Sequence, residues 1–487
     1  LAAGHAPAGM SAPAHAAFVT AIDALGTLGI APERIVGMTT FRTGDPLAVM
    51  RRAVETTDVR FAPALTAREV FDTYCVFEGS VPMPVFQQGE PPYSTEGGGW
   101  ALDSTGTPVL QHEEDARLWI TVPRGEMPAA GFPTTMLVRT GAGGDRPLVD
   151  RGVRDASGEP IAPGSGPALE LARVGFAGVS VEGPHGGSRN TSGSDEQFLV
   201  FNIQNPIALR DNLRQSALEL VLLARALESV SLDASSCTGL TTAAGDGLVR
   251  FDTSRLALMG HSMGASIAPL AAAFEPRFGA LILSGAGGSW IENVVHKEQP
   301  IATRPAAEAM LRYTAIRRTL TVDDPALGLL QWAGESADAQ VYARLLVDAP
   351  ELGGARHVLM FQGIVDHYIL PPIANALSLS LAVDLAGPGL DATTAALDAY
   401  TPLEALLPLR ARAAIGLPAS GNFATDAGPR VTAVVTQHPE DGVEDGHEAM
   451  FQTDAPKAQY RCFLRTFGRG EMPIVPDPGA LDAACAD

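Results

Sequence analysis

Lysine is nearly absent from this chain. Lys297 and Lys457 are the only two among 34 basic residues, the rest are arginine, and 55 acidic residues oppose them. The formal net charge of −21 makes nucleic acid or an anionic membrane surface a poor partner on electrostatic grounds. The preference for arginine supports no mechanism by itself. Long apolar runs are missing too. The longest, Ala217 to Ala226, is broken by Glu219 and Arg225; it is too short and too charged for a membrane span and reads as an amphipathic helix. Cysteine is limited to Cys75, Cys237, Cys462 and Cys485, a set that permits three pairings. The even count and the C-terminal pair suggest a Cys462–Cys485 bridge, with reduced buried thiols as the other reading. The chain begins at Leu1 and shows no signal peptide, as a trimmed chain or a mature exported protein would; the expected location is secreted or cell-envelope. No H-E-x-x-H occurs: His112 and His447 are each followed by Glu without a second histidine. His5, His15, His296, His357 and His367 show no metal spacing either. G-x-G-x-x-G spacing and a P-loop Lys-Ser/Thr are also lacking. The expectation is therefore no metal and no cofactor.

What is present is ample apolar material, 46% of 487 residues, enough for a large core and for two or three domains. Residues 1–110 read as an N-terminal α+β region of unassigned role. It has helix-like patterns at 14–28 and 46–55, a strand-like one at 34–41 and a Pro/Gly-rich stretch at 82–99. From 111 to 475 the pattern becomes strand–helix–strand. Strands are expected at 118–122, 135–139, 176–181, 255–259, 280–283, 358–361 and 431–435, and helices at 167–174, 206–228, 265–274 and 456–467. Short apolar runs without alternation, separated by helices, imply a mostly parallel α/β sheet with helices on both faces. Two insertions interrupt it. Residues 285–354 read as a helical cap carrying Trp290 and Trp332, with inert helical decoration as the alternative; 371–430 is Ala/Leu-rich. Both leave the carboxyl ends of strands, where ligands bind in such sheets. Residues 476–487 form a C-terminal tail. No internal repeat or low-complexity tract is evident.

The most telling segment is R-L-A-L-M-G-H-S-M-G-A-S-I-A-P-L-A-A-A-F, residues 255–274. A short apolar strand enters G-H-S-M-G and leaves as a helix. A serine on such a strand-to-helix turn is thrust out over the sheet end, and Gly260 and Gly264 allow the close approach the turn needs. Pro269 lies beyond the first helical turn, so a kink or a short first helix is expected there. Ser262 so placed implies a nucleophile. A nucleophilic serine needs a base, and the base an orienting carboxylate, with chain order Ser, acid, His for this turn type. Asp366 stands just past strand 358–361, in Q-G-I-V-D-H-Y. After the last strand, His438 and His447 compete. His447, in a glycine-flanked loop that can reach across the sheet top, is favoured over His438, which lies close to the strand end. Asp441, Glu444 and Asp445 read as a solvated acidic loop. An oxyanion needs two backbone N–H donors; Met263 supplies one, and Ala142 of T-G-A-G-G the other, with Gly143 next in line. His261 is expected to pack beside the elbow. His185, Trp290, Trp332 and Gly143 are the candidate substrate contacts.

T-G-A-G-G (140–144), F-A-G-V-S-V-E-G-P-H-G-G (176–187), G-H-S-M-G (260–264), G-I-V-D (363–366) and D-G-H-E (445–448) together resemble the α/β-hydrolase superfamily. The nearest likeness is to bacterial extracellular lipases and esterases with a separate N-terminal region. The resemblance implies an eight-stranded, mostly parallel sheet, a Ser262–Asp366–His447 triad and carboxylic-ester hydrolysis. Where many members have His-Gly at the oxyanion loop, this chain has Thr140-Gly141. Dehalogenases and epoxide hydrolases of this fold use an aspartate nucleophile, which Ser262 speaks against. A lysophospholipase or phospholipase, a polyester hydrolase, a peptidase and a perhydrolase keep the same triad. A non-catalytic binding protein on the scaffold is the alternative of another class. The expected substrate is a small-molecule or lipid ester; the sequence sets neither acyl length, nor alcohol, nor oligomeric state.

Overall fold

The computed structural model describes residues 5–41, 43–58, 61, 63–141, 144–243, 245–425, 428–481, 483 and 485. The chain divides into two compact units, Leu1–Pro46 and Leu47–Asp487. The first contains the helix α1 (Ala12–Thr27), capped by the Ser11 side chain, which accepts from the Ala14 amide. Residues 34–41, expected as a strand, form none.

The second unit is built on one eleven-stranded sheet. In chain order its strands are β1 (Thr66–Val70), β2 (Tyr74–Val85), β3 (His112–Pro123), β4 (Phe132–Leu137), β5 (Ala177–Val181), β6 (Phe251–His261), β7 (Phe278–Ser284), β8 (His357–Ile364), β9 (Asp384–Ala386), β10 (Ala414–Ile415) and β11 (Ala433–Pro439). Their spatial order is β1-β2-β3-β5-β4-β6-β7-β8-β11-β9-β10. Every pairing from β5 to β10 is parallel, and the three at the β1 end are antiparallel. The sheet is mostly parallel, as expected, with a correction to the expected eight strands. β1 folds back on β2, and the second insertion adds β9 and β10 beyond β11.

The unalternating apolar runs have a direct cause. On β6, Leu256 and Leu258 enter one core layer while Ala257 and Met259 enter the other. Val358 and Met360 of β8 likewise oppose Leu359 and Phe361. Successive side chains leave opposite faces of a strand, so a sheet covered on both sides needs apolar residues at every position. One face is covered by α3 (Pro206–Ala226), α4 (Met263–Phe274) and α8 (Pro371–Leu381), the other by α2 (Pro167–Arg173) and α9 (Asp454–Gly468). Pro269 lies inside α4 without ending it. The first insertion carries α5 (Trp290–His296), α6 (Thr303–Met310) and α7 (Pro325–Gly334) around a satellite core of Val295, Leu320 and Leu327.

β2 was hidden in sequence by Pro82 and Pro84, and it belongs to the main sheet rather than to a separate region ending near residue 110. It pairs with β3 along its whole length, whereas β1 covers only Cys75 to Glu78. The two prolines therefore turn their missing N–H groups toward an edge no strand occupies. Gln215 of α3 closes that edge: its Nε2 donates to the Pro84 carbonyl at 2.7 Å and its Oε1 accepts from the Phe86 amide at 3.3 Å.

All four cysteines are paired, Cys462 with Cys485 and Cys75 with Cys237. The second bridge ties β2 to a segment 162 residues away. By loop-closure entropy it contributes up to about 5 kcal/mol. A Cys75→Ser/Cys237→Ser variant should show a lowered thermal midpoint by calorimetry, while a midpoint equal to wild type would remove the bridge from the stability of the fold.

Candidate active site

Ser262 follows the last residue of β6 and caps α4, with φ 53° and ψ −118°. A residue other than glycine in this region is strained by about 1–3 kcal/mol and is held there only by its surroundings. Those surroundings are visible. A Cβ on Gly260 would lie 2.5 Å from the Gly264 carbonyl oxygen, and one on Gly264 would lie 2.9 Å from the Val138 carbonyl oxygen. The Ser262 amide donates to the Ser284 carbonyl at 2.9 Å, fastening the turn to the end of β7. Its hydroxyl makes no capping bond to α4. The Met263 N–H belongs to the first turn of that helix, whose amides carry the positive end of the helix dipole.

Asp366 lies two residues past β8 and is buried. Its Oδ1 accepts from the amides of Tyr368 and Ile369, both at 2.7 Å. Its Oδ2 is 2.8 Å from Nδ1 of His447. Burial would raise this carboxyl; the His447 ring and the two amides outweigh it and hold it below its ordinary value. An ionised carboxylate accepts only, so Nδ1 of the neutral ring carries the proton and Nε2 is left as the acceptor. That Nε2 is buried without a hydrogen-bond partner among the described residues.

His447 sits in a short turn, Gly446–Glu448, where Asp445 accepts from the His447 amide at 2.9 Å. The Gly446 amide donates to the Val365 carbonyl at 2.8 Å, so the segments bearing the acid and the imidazole are bonded through their backbones. Tyr368 stacks on the imidazole with ring centroids 4.6 Å apart and planes at 19°. The imidazole edge also lies over Gly285, where a Cβ would come within 2.5 Å of its Cε1. Gly285 directly follows Ser284, which holds the Ser262 amide. One rim, the carboxyl ends of β6, β7 and β8, thus gathers Ser262, His447 and Asp366.

The remaining candidates are placed as follows. Ala142 and Gly143 lie outside the described residues. His438 is buried, with Nε2 at 3.0 Å from both Thr436 and Gln459; burial lowers it to about 4, against the Gln459 hydrogen bond. His185 is buried with Nε2 3.2 Å from Oδ1 of Asn212 and its ring edge-on to Tyr93. Trp290 donates from Nε1 to the Gly334 carbonyl at 2.9 Å, pinning α5 to the end of α7. Trp332 is 74% exposed on the first insertion. Sequence reasoning passed over Tyr368, Gly285 and Lys297. Lys297, one of the two lysines, donates to the Tyr368 carbonyl at 2.9 Å, and burial lowers it to about 8 against the opposing pull of Asp366. Its rarity was the one signal that could have drawn notice.

His261, His447 and Glu448 bring ligand-type atoms within 4.8 Å of one another. The Arg151 guanidinium, 2.5 Å from Oε1 of Glu448, already places a cation at that carboxylate. The set is therefore better read as an ion-pair cluster than as a metal site.

The buried carboxylates give a pH dependence of stability. Asp366 and Glu448 titrate below their ordinary values in the folded chain. Their contribution is complete above the usual carboxylate range and is lost as pH falls through the depressed values. Thermal midpoints should decline steeply on going from pH 5 toward pH 3, and a midpoint flat over that interval would contradict the pairing.

No family model matches the sequence, and no curated protein matches it. Solved structures with a similar course include an acetyl xylan esterase from Paenibacillus sp. R4, 13% identical over 71% of this chain and 87% of that chain with a TM-score of 0.42. Acetyl xylan esterase 1 from Thermoanaerobacterium sp. JW/SL YS485 is 12% identical over 82% of this chain and 90% of that one, with a TM-score of 0.39. A CE15 glucuronoyl esterase from Teredinibacter turnerae T7901 is 14% identical over 84% and 77%, with a TM-score of 0.36.

Proposed function

We propose that this protein is a serine hydrolase acting on carboxylic esters through an acyl-enzyme on Ser262. The reading is supported by an Asp366-bound imidazole whose Nε2 has no partner among the described residues, together with a serine held in a strained strand-to-helix turn. His447 Nε2 takes the Ser262 proton as the oxygen attacks the ester carbonyl. Asp366 fixes the imidazole tautomer and stabilises the imidazolium that forms. The Met263 N–H and a donor from the loop after β4 bind the oxyanion. The alcohol leaves with the proton from His447, and water then releases the acid by the same route. Two disulfides that use every cysteine support an oxidising compartment, so the protein is assigned to the secreted or cell-envelope fraction.

The test is a fluorophosphonate probe together with p-nitrophenyl esters of rising acyl length, an emulsified triglyceride and a polyester film. The expected result is a covalent adduct mapped to Ser262 and turnover of at least one ester class. A folded protein that neither labels nor hydrolyses any of them would end the reading in favour of a binding protein.

A further inference from the structure

Beside the imidazole lies a charged cluster to which the reaction assigns no role. His261, the residue before the nucleophile, is fully buried, with its ring centroid 4.7 Å from that of His447 and 4.8 Å from that of Phe451. Its Nδ1 lies 3.4 Å from Ser284 Oγ and its Nε2 3.6 Å from Glu448 Oε1. Glu448 in turn bonds Arg151 at 2.5 Å, and the Arg151 guanidinium stacks 5.1 Å over the Phe451 ring. A carboxylate oxygen of Glu448 comes within 4.8 Å of a His447 ring nitrogen. Arg151 and His261 are each under a tenth exposed, and Glu448 is only slightly more so. The cluster is therefore poorly screened by water.

We propose that Glu448, anchored by Arg151, is a positioning residue that stabilises the His447 imidazolium formed during ester hydrolysis, acting as a second anion besides Asp366. The inference rests on the reading of His447 as the base. Its logic is electrostatic. Asp366 compensates the imidazolium at Nδ1. The remaining neighbours are the Tyr368 ring, which carries no charge below its high pKa, and His261. Behind Tyr368 stands Lys297, a cation, and Asp445 caps the His447 turn, its Oδ1 accepting from the His447 amide and its Oδ2 lying 2.6 Å from His367. Among the described residues Glu448 is a second carboxylate close to the imidazole, and Arg151 holds it there. Burial would raise the Glu448 carboxyl, but Arg151, then His261 and His447, hold it well below its ordinary value, so it stays charged throughout the working range. His261 is lowered to about 4 by burial, against the pull of Glu448, and so remains a neutral spacer.

The test compares wild type, Glu448→Gln and the double variant Arg151→Met/Glu448→Gln. The readouts are the acid limb of kcat/KM and the NMR titration of the His447 ring in a Ser262→Ala background. Removing the near anion while leaving the far cation should move the acid limb to lower pH by about one to two units. Removing both charges should return at least half of that shift, giving the order wild type, double variant, single variant. A purely structural role for Glu448 predicts no recovery on deleting a second side chain. Should the single variant not fold, the double variant, which replaces the ion pair by neutral groups, must still titrate below wild type. Midpoints of all folded variants within about 0.3 unit, roughly a twofold effect, would overturn the proposal. The NMR arm needs no turnover, so an inactive wild type defeats the hydrolase reading without deciding this one.

Discussion

Ser262→Ala should lower kcat/KM for any ester substrate by at least about 10⁴-fold while leaving the fold intact. The effect is large because nothing near the site offers a replacement nucleophile on the same turn. The position before it is His261, buried and neutral, and the position after it is Met263, whose side chain is buried in the core. The residual rate would come from oxyanion donors and substrate positioning alone. The variant should also be slightly more tolerant of heat, because alanine at φ 53° keeps the strain but removes a half-buried hydroxyl. Circular dichroism and a melting curve confirm folding, and a fluorophosphonate probe should fail to label. Wild-type turnover in the folded variant would remove Ser262 from the chemistry.

Gly363→Ala should be the most damaging change outside the reacting groups. Gly363 is the penultimate residue of β8 and pairs with His438 on β11. A Cβ there would lie 1.7 Å from the Gly446 carbonyl oxygen and 2.5 Å from its carbonyl carbon. The obstruction is main chain on both sides, since a Cβ on Gly446 would itself meet the Val365 oxygen at 2.4 Å. The His447 turn must then lift by an ångström or more. Misplacement on that scale costs on the order of 100-fold in rate, and the overpacking costs about 1–3 kcal/mol. Gly389→Ala is the control: its Cβ would find only ordinary contacts at 3.6 Å and beyond. Equal activity in the two variants would show that the His447 turn does not depend on this crossing.

The parallel core was readable because its physics is local. A strand buried on both faces must be apolar at each position, and the runs at 256–259, 280–283 and 358–361 are. The elbow was readable because Gly260 and Gly264 are required by atoms within a few residues or on the neighbouring strand. Asp366 was nominated because it closely follows a strand end, and His447 because its glycine-flanked loop can reach across the sheet top. β2 was obscured by prolines whose consequences depend on which edge they face, a tertiary fact. β9 and β10, three and two residues long, carry too few positions for any period to register. The Arg151–Glu448 contact joins residues 297 apart, and Tyr368 acquires its place on the imidazole only through the turn that Asp366 caps. Neither leaves a trace in local spacing.

The added strands at one end of the sheet and the hairpin at the other bear on how this molecule meets its own kind. Without β9 and β10, the seven-residue β11 would present its free ladder to solvent. Instead the outermost rung on that flank is only Ala414–Ile415. On the opposite flank β1 is interrupted by a bulge between Ala67 and Glu69 and studded with Arg68 and Glu69. Short, bent or charged borders are poor templates for cross-molecular strand addition, so neither flank offers a long, flat seam on which fibrillar association could begin.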